Sequence, residues 1–472
     1  MPFARDPRPD HLASVADASR TPFWLDQPGR PDPAPALVGA TSCDLLVIGG
    51  GFTGLWTALL AKTIEPARNV VLLEAHEVAS AATGRNGGFV ASSLTHGFAN
   101  GHARWPGELA VLTAMGHANL DAIESTVAEL GIDCDLQRTG ELDVATEAYQ
   151  VPHLREEPAL AAPYGETYTF LDRDEVRALV DSPTYQGALL DPNVAIVDPA
   201  RLAWGLRRAV LDLGVRVHER SEVTGLDDVG GGALEARTPF GTVRARRVAL
   251  ATNAFPPLLR RLKHYVVPVY DYVLVSEPLS DAQWASLGWA GRQGVGDVGN
   301  QFHYYRPTAD GRILWGGYDA VYHRGNGFGP QHEHDPESAG RLATHFFDTF
   351  PQVEGLRFTH SWGGAIDTCS RFSAFWGTAY DGRAGYVTGY TGLGVGASRF
   401  GAATLLDLLD GRDTERTRLE MVRTKPLPFP PEPVRGWGID LTRWALDRAD
   451  RSEGRRNLWL RTLDRLGLGF DS

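Results

Sequence analysis

The sequence predicts an α/β protein: a parallel sheet assembled from separated stretches, an inserted α+β unit with an antiparallel sheet, and a C-terminal helical extension. Three observations predict it. An apolar strand at 44–48 runs into a glycine turn and an apolar-faced helix, a second strand at 69–74 ends in an acid, and later strand–turn–helix passages return to the same kind of sheet.

The chain has 472 residues, 43% of them hydrophobic, enough for a large core divided into two or three domains. Its 46 basic and 58 acidic residues give a net charge of −12 with no long run of either sign, which argues against a nucleic-acid partner. Cys43, Cys134 and Cys369 lie far apart without metal-ligand spacing, so buried free thiols are expected and no metal. The opening MPFARDPRPD lacks the apolar core of a signal peptide. No stretch reaches the ~18 apolar residues of a spanning helix, so a cytoplasmic protein without a membrane partner is expected. Residues 1–41, rich in Pro, Asp and Arg, read as an extended arm rather than a packed unit.

In CDLLVIGGGFTGLWTALLAK, Gly49, Gly51 and Gly54 fit the G-x-G-x-x-G turn of a Rossmann-like βαβ unit, with Phe52 and Thr53 opening the helix. Gly49 permits the tight turn, Gly51 lets a pyrophosphate approach the backbone, and Gly54 lets helix and strand pack closely. Glu74, followed by Ala75, closes the second strand, where a carboxylate can accept from both ribose hydroxyls; it disfavours a 2′-phosphate. Thr83, Gly84, Arg85, Asn86, Gly87 and Gly88 follow, and a plain nicotinamide fold needs no such segment. A flavin extends farther and calls for close backbone and a cation along its path. Here Gly87 and Gly88 would pass the ring while Arg85 and Asn86 anchor the segment and face the cofactor's polar edge; the competing assignment is a glycine turn with a solvated Arg.

Farther on, DPARLAWGLRRAVLDLG reads as a helix capped by Asp198, with Leu202, Leu206, Val210 and Leu213 inward and Gly214 as its stop. VRVHERSEVTGL and VRARRVALATNAF read as strands returning to the sheet, placing Val223 at the adenine and Ala251, Thr252 and Asn253 at a crossover near the cofactor. The third return, AGYVTGYTGLGVGASRFGA, brings Gly392, Leu393, Gly394 and Val395 to a helix N-terminus suited to the electron-rich edge of a reduced flavin.

These stretches carry a resemblance. VIGGGFTGL, ATGRNGGF, GIDCDLQRTGELDVA, YQGALLDP, HYYRPTADGRILWGGYD, CSRFSAFWG and GYTGLGVGASRFGA resemble the FAD-dependent D-amino-acid-oxidase superfamily, and within it the γ-glutamylputrescine-oxidase type. The resemblance implies a discontinuous, glutathione-reductase-type FAD-binding domain at 42–105, 196–265 and 360–412. The substrate domain falls at 106–195 and 266–359, and 413–472 form the extension. It also implies non-covalent FAD and oxidation of a primary or secondary amine, with O2 as acceptor. The alternatives are an FAD dehydrogenase or demethylase with another acceptor, or a flavin-binding protein without turnover. A homo-oligomer is compatible with all of these.

Hydride removal beside nitrogen needs the neutral amine, so the site must desolvate an ammonium or offer a proton acceptor. Tyr270, Tyr272, His303, Tyr304, Tyr305, Trp315 and Trp362 are the pocket candidates, the aromatic ones for cation–π contact, with core packing as the competing assignment for each. Relatives of the sarcosine-oxidase type carry a lysine near the flavin, linked to oxygen activation, at a position that corresponds to Trp315, and a second, which binds the substrate carboxylate, at one that corresponds to Gly396. With both missing, small α-amino acids are disfavoured, Arg85 or a protonated His303 is the candidate cation toward O2, and Trp315→Lys is expected to bring one to the flavin. Asp319 is the candidate for the distal ammonium of a diamine, against a solvated turn residue. Residues 106–131 form a long amphipathic helix, 266–318 alternate strands with turns including a hairpin at 308–311, and 416–472 combine a proline spacer with amphipathic segments that dock on the body or a second subunit.

Overall fold

In the computed structural model, which describes Phe3 and residues 6–468, the glycine turn lies at the centre of an eight-stranded sheet. The first residues of the arm and the end of the last amphipathic segment fall outside the described residues. Gly39–Ile48 pairs in parallel with Val70–Leu73 on one side and Gly241–Leu250 on the other, with Arg216–His218 and Ala384–Thr388 parallel outside them. Parallel strands are covered on both faces, which is why these runs are continuously apolar. Leu45, Val47, Val70 and Leu72 join one core, Leu46, Ile48, Val71 and Leu73 the other. The first of these cores is closed by the helices Phe52–Ile64, Pro199–Asp212 and Gly394–Leu409. VRVHERSEVTGL, read as one strand, divides: Arg216–His218 stays in the parallel set and Gly225–Asp228 starts an antiparallel meander.

The helix Pro199–Asp212 begins as read, Asp198 accepting from the Arg201 N–H at 3.0 Å. Leu213, expected inward, is 42% exposed, because it caps the helix just before the chain turns away at Gly214 (φ +80°). The arm departs further from expectation. Pro9–Val15 is a helix against Pro336–Thr349, with His11 Nε2 2.9 Å from Glu354 Oε1, and Trp24, Leu25 and Leu37 are buried. Few aromatic and apolar residues in a polar stretch were enough to dock it.

The second sheet has nine strands. Val267–Ser276 pairs with Phe358–Thr368, Val321–Tyr322 and Ile313–Gly317, and the sheet continues through His303–Pro307, Gly294–Asp297, Glu141–Ala145, Gly187–Asp191 and Thr169–Asp172. The hairpin at 308–311 forms, the Thr308 N–H donating to Arg312 O at 2.9 Å. The helix Leu109–Glu129 packs Leu112, Leu120, Ile123 and Val127 into the core beside the nucleotide-type helices, and Asn119 Nδ2 donates to Gly396 O at 2.9 Å. The three cysteines are free and buried. Among the described residues no helix is long and apolar enough to cross a membrane.

Val434–Asp450 and Leu458–Arg465 form a helical hairpin with a small core of its own, Ala445, Ala449 and Leu460. It docks on the body through buried Asp450, which accepts from Asn300 N at 3.1 Å, Asn300 Nδ2 at 2.5 Å and Gln301 N at 3.1 Å.

Candidate active site

A cavity of about 1150 Å³ runs from the carboxyl ends of the parallel strands to the second sheet and under the C-terminal hairpin. Of the residues singled out for the cofactor, Gly49, Gly51, Phe52, Thr53, Glu74, Ala75, Thr83, Arg85, Asn86, Gly87, Gly88, Val223, Ala251, Thr252, Asn253, Gly392, Leu393, Gly394 and Val395 line it. The separated segments therefore converge on one space. Gly54 and Gly84 do not: a Cβ on Gly54 would overlap the Gly49 carbonyl and one on Gly84 the Ala79 carbonyl, so both serve packing.

The turn is built to accept a phosphate. Gly49 has φ +114°, and a Cβ at Gly51 would meet only Thr83 Oγ1, at 2.9 Å, so the helix N-terminus opens into the cavity. Glu74 Oε2 accepts from Gly50 N at 2.6 Å and Oε1 from His76 N at 2.9 Å, while burial pushes its carboxyl up. Its remaining acceptor capacity faces the cavity, as a ribose diol requires. At the other end buried Asp367, pushed up to about 6 by desolvation, accepts from Gly389 N at 2.6 Å and Tyr390 N at 3.2 Å, fixing the loop that presents Gly392 and Gly394.

The segment at 85–88 is clamped from three sides. Trp24 Nε1 donates to Asn86 O at 2.8 Å, Trp362 Nε1 to Arg85 O at 2.9 Å, and Arg306 Nη1 to Gly88 O at 2.9 Å and Val197 O at 2.7 Å. Gly88 is required there, with φ +75° and no room for a Cβ beside the Val197 carbonyl. Arg85 lines the cavity and is paired with Glu333 at 2.9 Å, so its charge is already answered within the chain.

The pocket candidates divide by face. Tyr304 lines the cavity, packs against Gly87 and donates its hydroxyl to Asp271 Oδ2 at 2.5 Å. Tyr270, Tyr272, Tyr305 and Trp315 lie on the opposite face in an aromatic core; Trp315 is 0% exposed and stacks on Tyr305 at 4.3 Å. His303 is equally buried, held between Asp297 Oδ2 at 2.6 Å and His345 Nδ1 at 2.9 Å. Trp362 braces Arg85 from the core rather than the pocket. Asp319 reaches the cavity, yet Arg341 Nη1 and Ser338 Oγ already donate to its Oδ2, so its charge is answered within the chain. Gly396 lies under the Ala91 carbonyl with no space for a side chain.

Sequence reasoning missed Asp271, Asp367 and Arg306. Asp271 had a signal: in Val267–Ser276 the residues 269, 271 and 273 line the cavity and 270, 272 and 274 the core, so the acid between two tyrosines belongs to the site. It is pushed up to about 6 by burial.

A glycine turn under a helix N-terminus, an acid at the second strand and a second helix N-terminus across one cavity, which the second, mostly antiparallel sheet also walls, define a dinucleotide-dependent enzyme. The comparisons give the class its family: residues 44–408 match the family described as FAD dependent oxidoreductase, and the chain belongs to it. It is 32% identical over 394 residues to gamma-glutamylputrescine oxidoreductase of Escherichia coli (strain K12), covering 81% of this chain and 87% of that protein. It is 24% identical over 335 residues to sarcosine oxidase subunit beta of Rhodobacter capsulatus, covering 69% and 74%. In fold it is similar to glycine oxidase from Geobacillus kaustophilus, with a TM-score of 0.67 at 19% identity over 82% of this chain and 99% of that one. The protein is thus an FAD-dependent oxidoreductase, and the residues lining the cavity fit that cofactor.

Proposed function

We propose that the protein oxidises a CH–NH or CH–NH2 bond of a primary or secondary amine, polyamine-like or an amino-acid derivative, with hydrolysis of the imine and O2 as acceptor giving H2O2. Relatives named for γ-glutamylputrescine and sarcosine support an amine as substrate. FAD supplies a two-electron acceptor for the hydride when bound. Gly49, Gly51 and Glu74 hold its adenosine pyrophosphate half, and the 85–88 segment with Gly392 and Gly394 holds the ring, without a covalent link.

The observation that carries the reading is the Tyr304–Asp271 pair on the cavity wall beside Gly87. An ammonium entering there meets an aromatic ring, worth ~0.5–2 kcal/mol by cation–π contact. Behind the hydroxyl stands a carboxylate held at about 6, ionised at neutral pH, that can receive the proton the amine must lose. Apolar walls, including Phe89, Val269, Val273 and Phe372, keep the freed amine desolvated. The fixed positive charge that favours electron transfer to O2 is assigned to Arg306, fully buried behind Gly88 with Nη2 lacking a hydrogen-bond partner, rather than to position 315 or His303.

Anaerobic mixing of the yellow holoenzyme with a panel of amines tests this directly. Bleaching by an amine and rapid return of colour in air are expected. No bleaching by any amine removes the reading, and bleaching with slow return in air assigns the protein to dehydrogenases.

A further inference from the structure

Glu141 on the cavity wall, and Asp143 two residues along the same strand, have no use in the site described above. Glu141–Ala145 lies two strands from His303–Pro307, with Gly294–Asp297 between them. Its Leu142 and Val144 enter the aromatic core, so Glu141 and Asp143 stand on the face that carries Tyr304. Gly296 is paired with Asp143 on one side and Tyr304 on the other. A Cβ at 296 would lie 3.4 Å from Asp143 Oδ1 and 3.7 Å from Glu141 Oε1, so both carboxylates lean over a trough that glycine leaves open. Glu141 lines the cavity itself.

No hydrogen bond or ion pair joins either carboxylate to another described residue. Asp191 lies directly opposite Glu141 on the next strand and Glu157 adds further like charge. Desolvation and these neighbours push Glu141 and Asp143 up. Ionising both acids without a counter-charge is costly, so the amine-free site favours their protonated forms, and an ammonium in the trough would supply the missing partner.

We propose that Glu141 and Asp143 form the far end of the substrate cavity and receive the second positive charge of a dicationic amine, which makes diamines and polyamines the substrate class. The proposal rests on the amine-oxidising reading and replaces Asp319, which Arg341 occupies, as the distal recognition group. Two strand spacings separate the acids from Tyr304 by roughly 10 Å, the span of an extended chain of several methylenes with an amine at each end. A free amino-acid carboxylate in the same trough would find no cation to pair with and is disfavoured.

The test compares 1,6-diaminohexane with hexylamine on the holoenzyme. The ratio of their kcat/KM values is expected to favour the diamine by at least 10-fold in the wild type and to fall at least 10-fold in Glu141→Gln and in Asp143→Asn. Anaerobic calorimetric titration with 1,6-diaminohexane should weaken by the same factor. The Tm of amine-free Glu141→Gln should hold, because burial and like charge favour the neutral carboxyl, which glutamine matches in shape. A lower Tm with equal loss on both amines would mean a structural role and overturn the proposal. Equal kcat/KM for both amines in the wild type sinks the subsite while leaving amine oxidation intact. Tight diamine binding that Glu141→Gln abolishes, with no bleaching by any amine, upholds the subsite and sinks the oxidation reading.

Discussion

Gly51 and Gly54 stand three residues apart in one motif and are glycine for different reasons. A side chain at 51 meets only the Thr83 hydroxyl on the protein side and otherwise projects where a pyrophosphate would lie, whereas one at 54 strikes the Gly49 carbonyl. Gly51→Val is therefore expected to fold with an unchanged far-ultraviolet spectrum and to purify colourless; full flavin absorbance in that variant would remove the turn from the cofactor site. Gly54→Ala should instead cost ~1–3 kcal/mol of stability through overpacking, read as a lower Tm, before flavin content changes. Asp271 carries a pH dependence. With its carboxyl at about 6, kcat/KM should fall as the pH drops below that value, because the protonated acid no longer accepts from Tyr304 or from the substrate. The folded protein holds this proton more tightly than the unfolded chain, whose ordinary value is 3.8, so the ionised group costs stability as the pH rises through 3.8 to about 6. Asp271→Asn should remove both the acid limb of the rate profile and this loss of Tm; a profile that keeps its limb near 6 excludes Asp271 as the acceptor. The motif glycines and Glu74 were legible in the sequence because their geometry is local to one βαβ turn. Asp367 was not, since its partners at 389 and 390 come from another strand–loop passage and no spacing announces them.

At the scale of the strand, one residue of register decides between core and site. His303, Tyr304 and Tyr305 are consecutive, and only Tyr304 reaches the cavity. Aromatic composition located the strand without choosing the face, and choosing needed the alternation to be anchored on one known residue. Tyr304→Phe is expected to raise KM for an amine several-fold and to lower kcat, with Tm near wild type. Tyr305→Phe should leave KM alone and lose ~1 kcal/mol of stability with its buried 2.7 Å bond to Tyr185. Equal effects of the two on KM would contradict the assignment of faces. The same argument reverses an expectation for Trp315. Seen from sequence, a lysine at 315 would bring a cation to the cofactor; placed in the aromatic core, it would bury an unpaired charge. Trp315→Lys should fail to accumulate as folded protein while Trp315→Phe folds and keeps its flavin, and a folded Trp315→Lys with faster reoxidation would restore the sequence view.

At the scale of the molecule, the sequence disclosed two sheets, because parallel strands buried on both faces and antiparallel strands with turns leave different apolar patterns. It did not disclose what closes the cavity. Ile439, Thr442, Arg443, Leu446, Trp459 and Leu463 of the C-terminal hairpin line it, and nothing in an amphipathic helix states which surface its inner face will cover. The buried core of the hairpin is small, two alanines and a leucine, and its hold on the loop at 300–301 is one carboxylate. Elements with so few buried contacts open locally at a free energy well below global unfolding. Hydrogen bonds to a charged group contribute ~1.5–3 kcal/mol, so Asp450→Ala should speed amide exchange across 434–465 by roughly 10-fold or more while exchange in Gly39–Ile48 stays at the wild-type rate. If the hairpin gates the cavity, the same variant should also release product faster and bind amine more weakly, and a bound amine should slow exchange in the hairpin of the wild type. Exchange across 434–465 that is unaltered by both the substitution and the amine would show that the hairpin is a fixed wall, and access to the cavity would then have to run elsewhere.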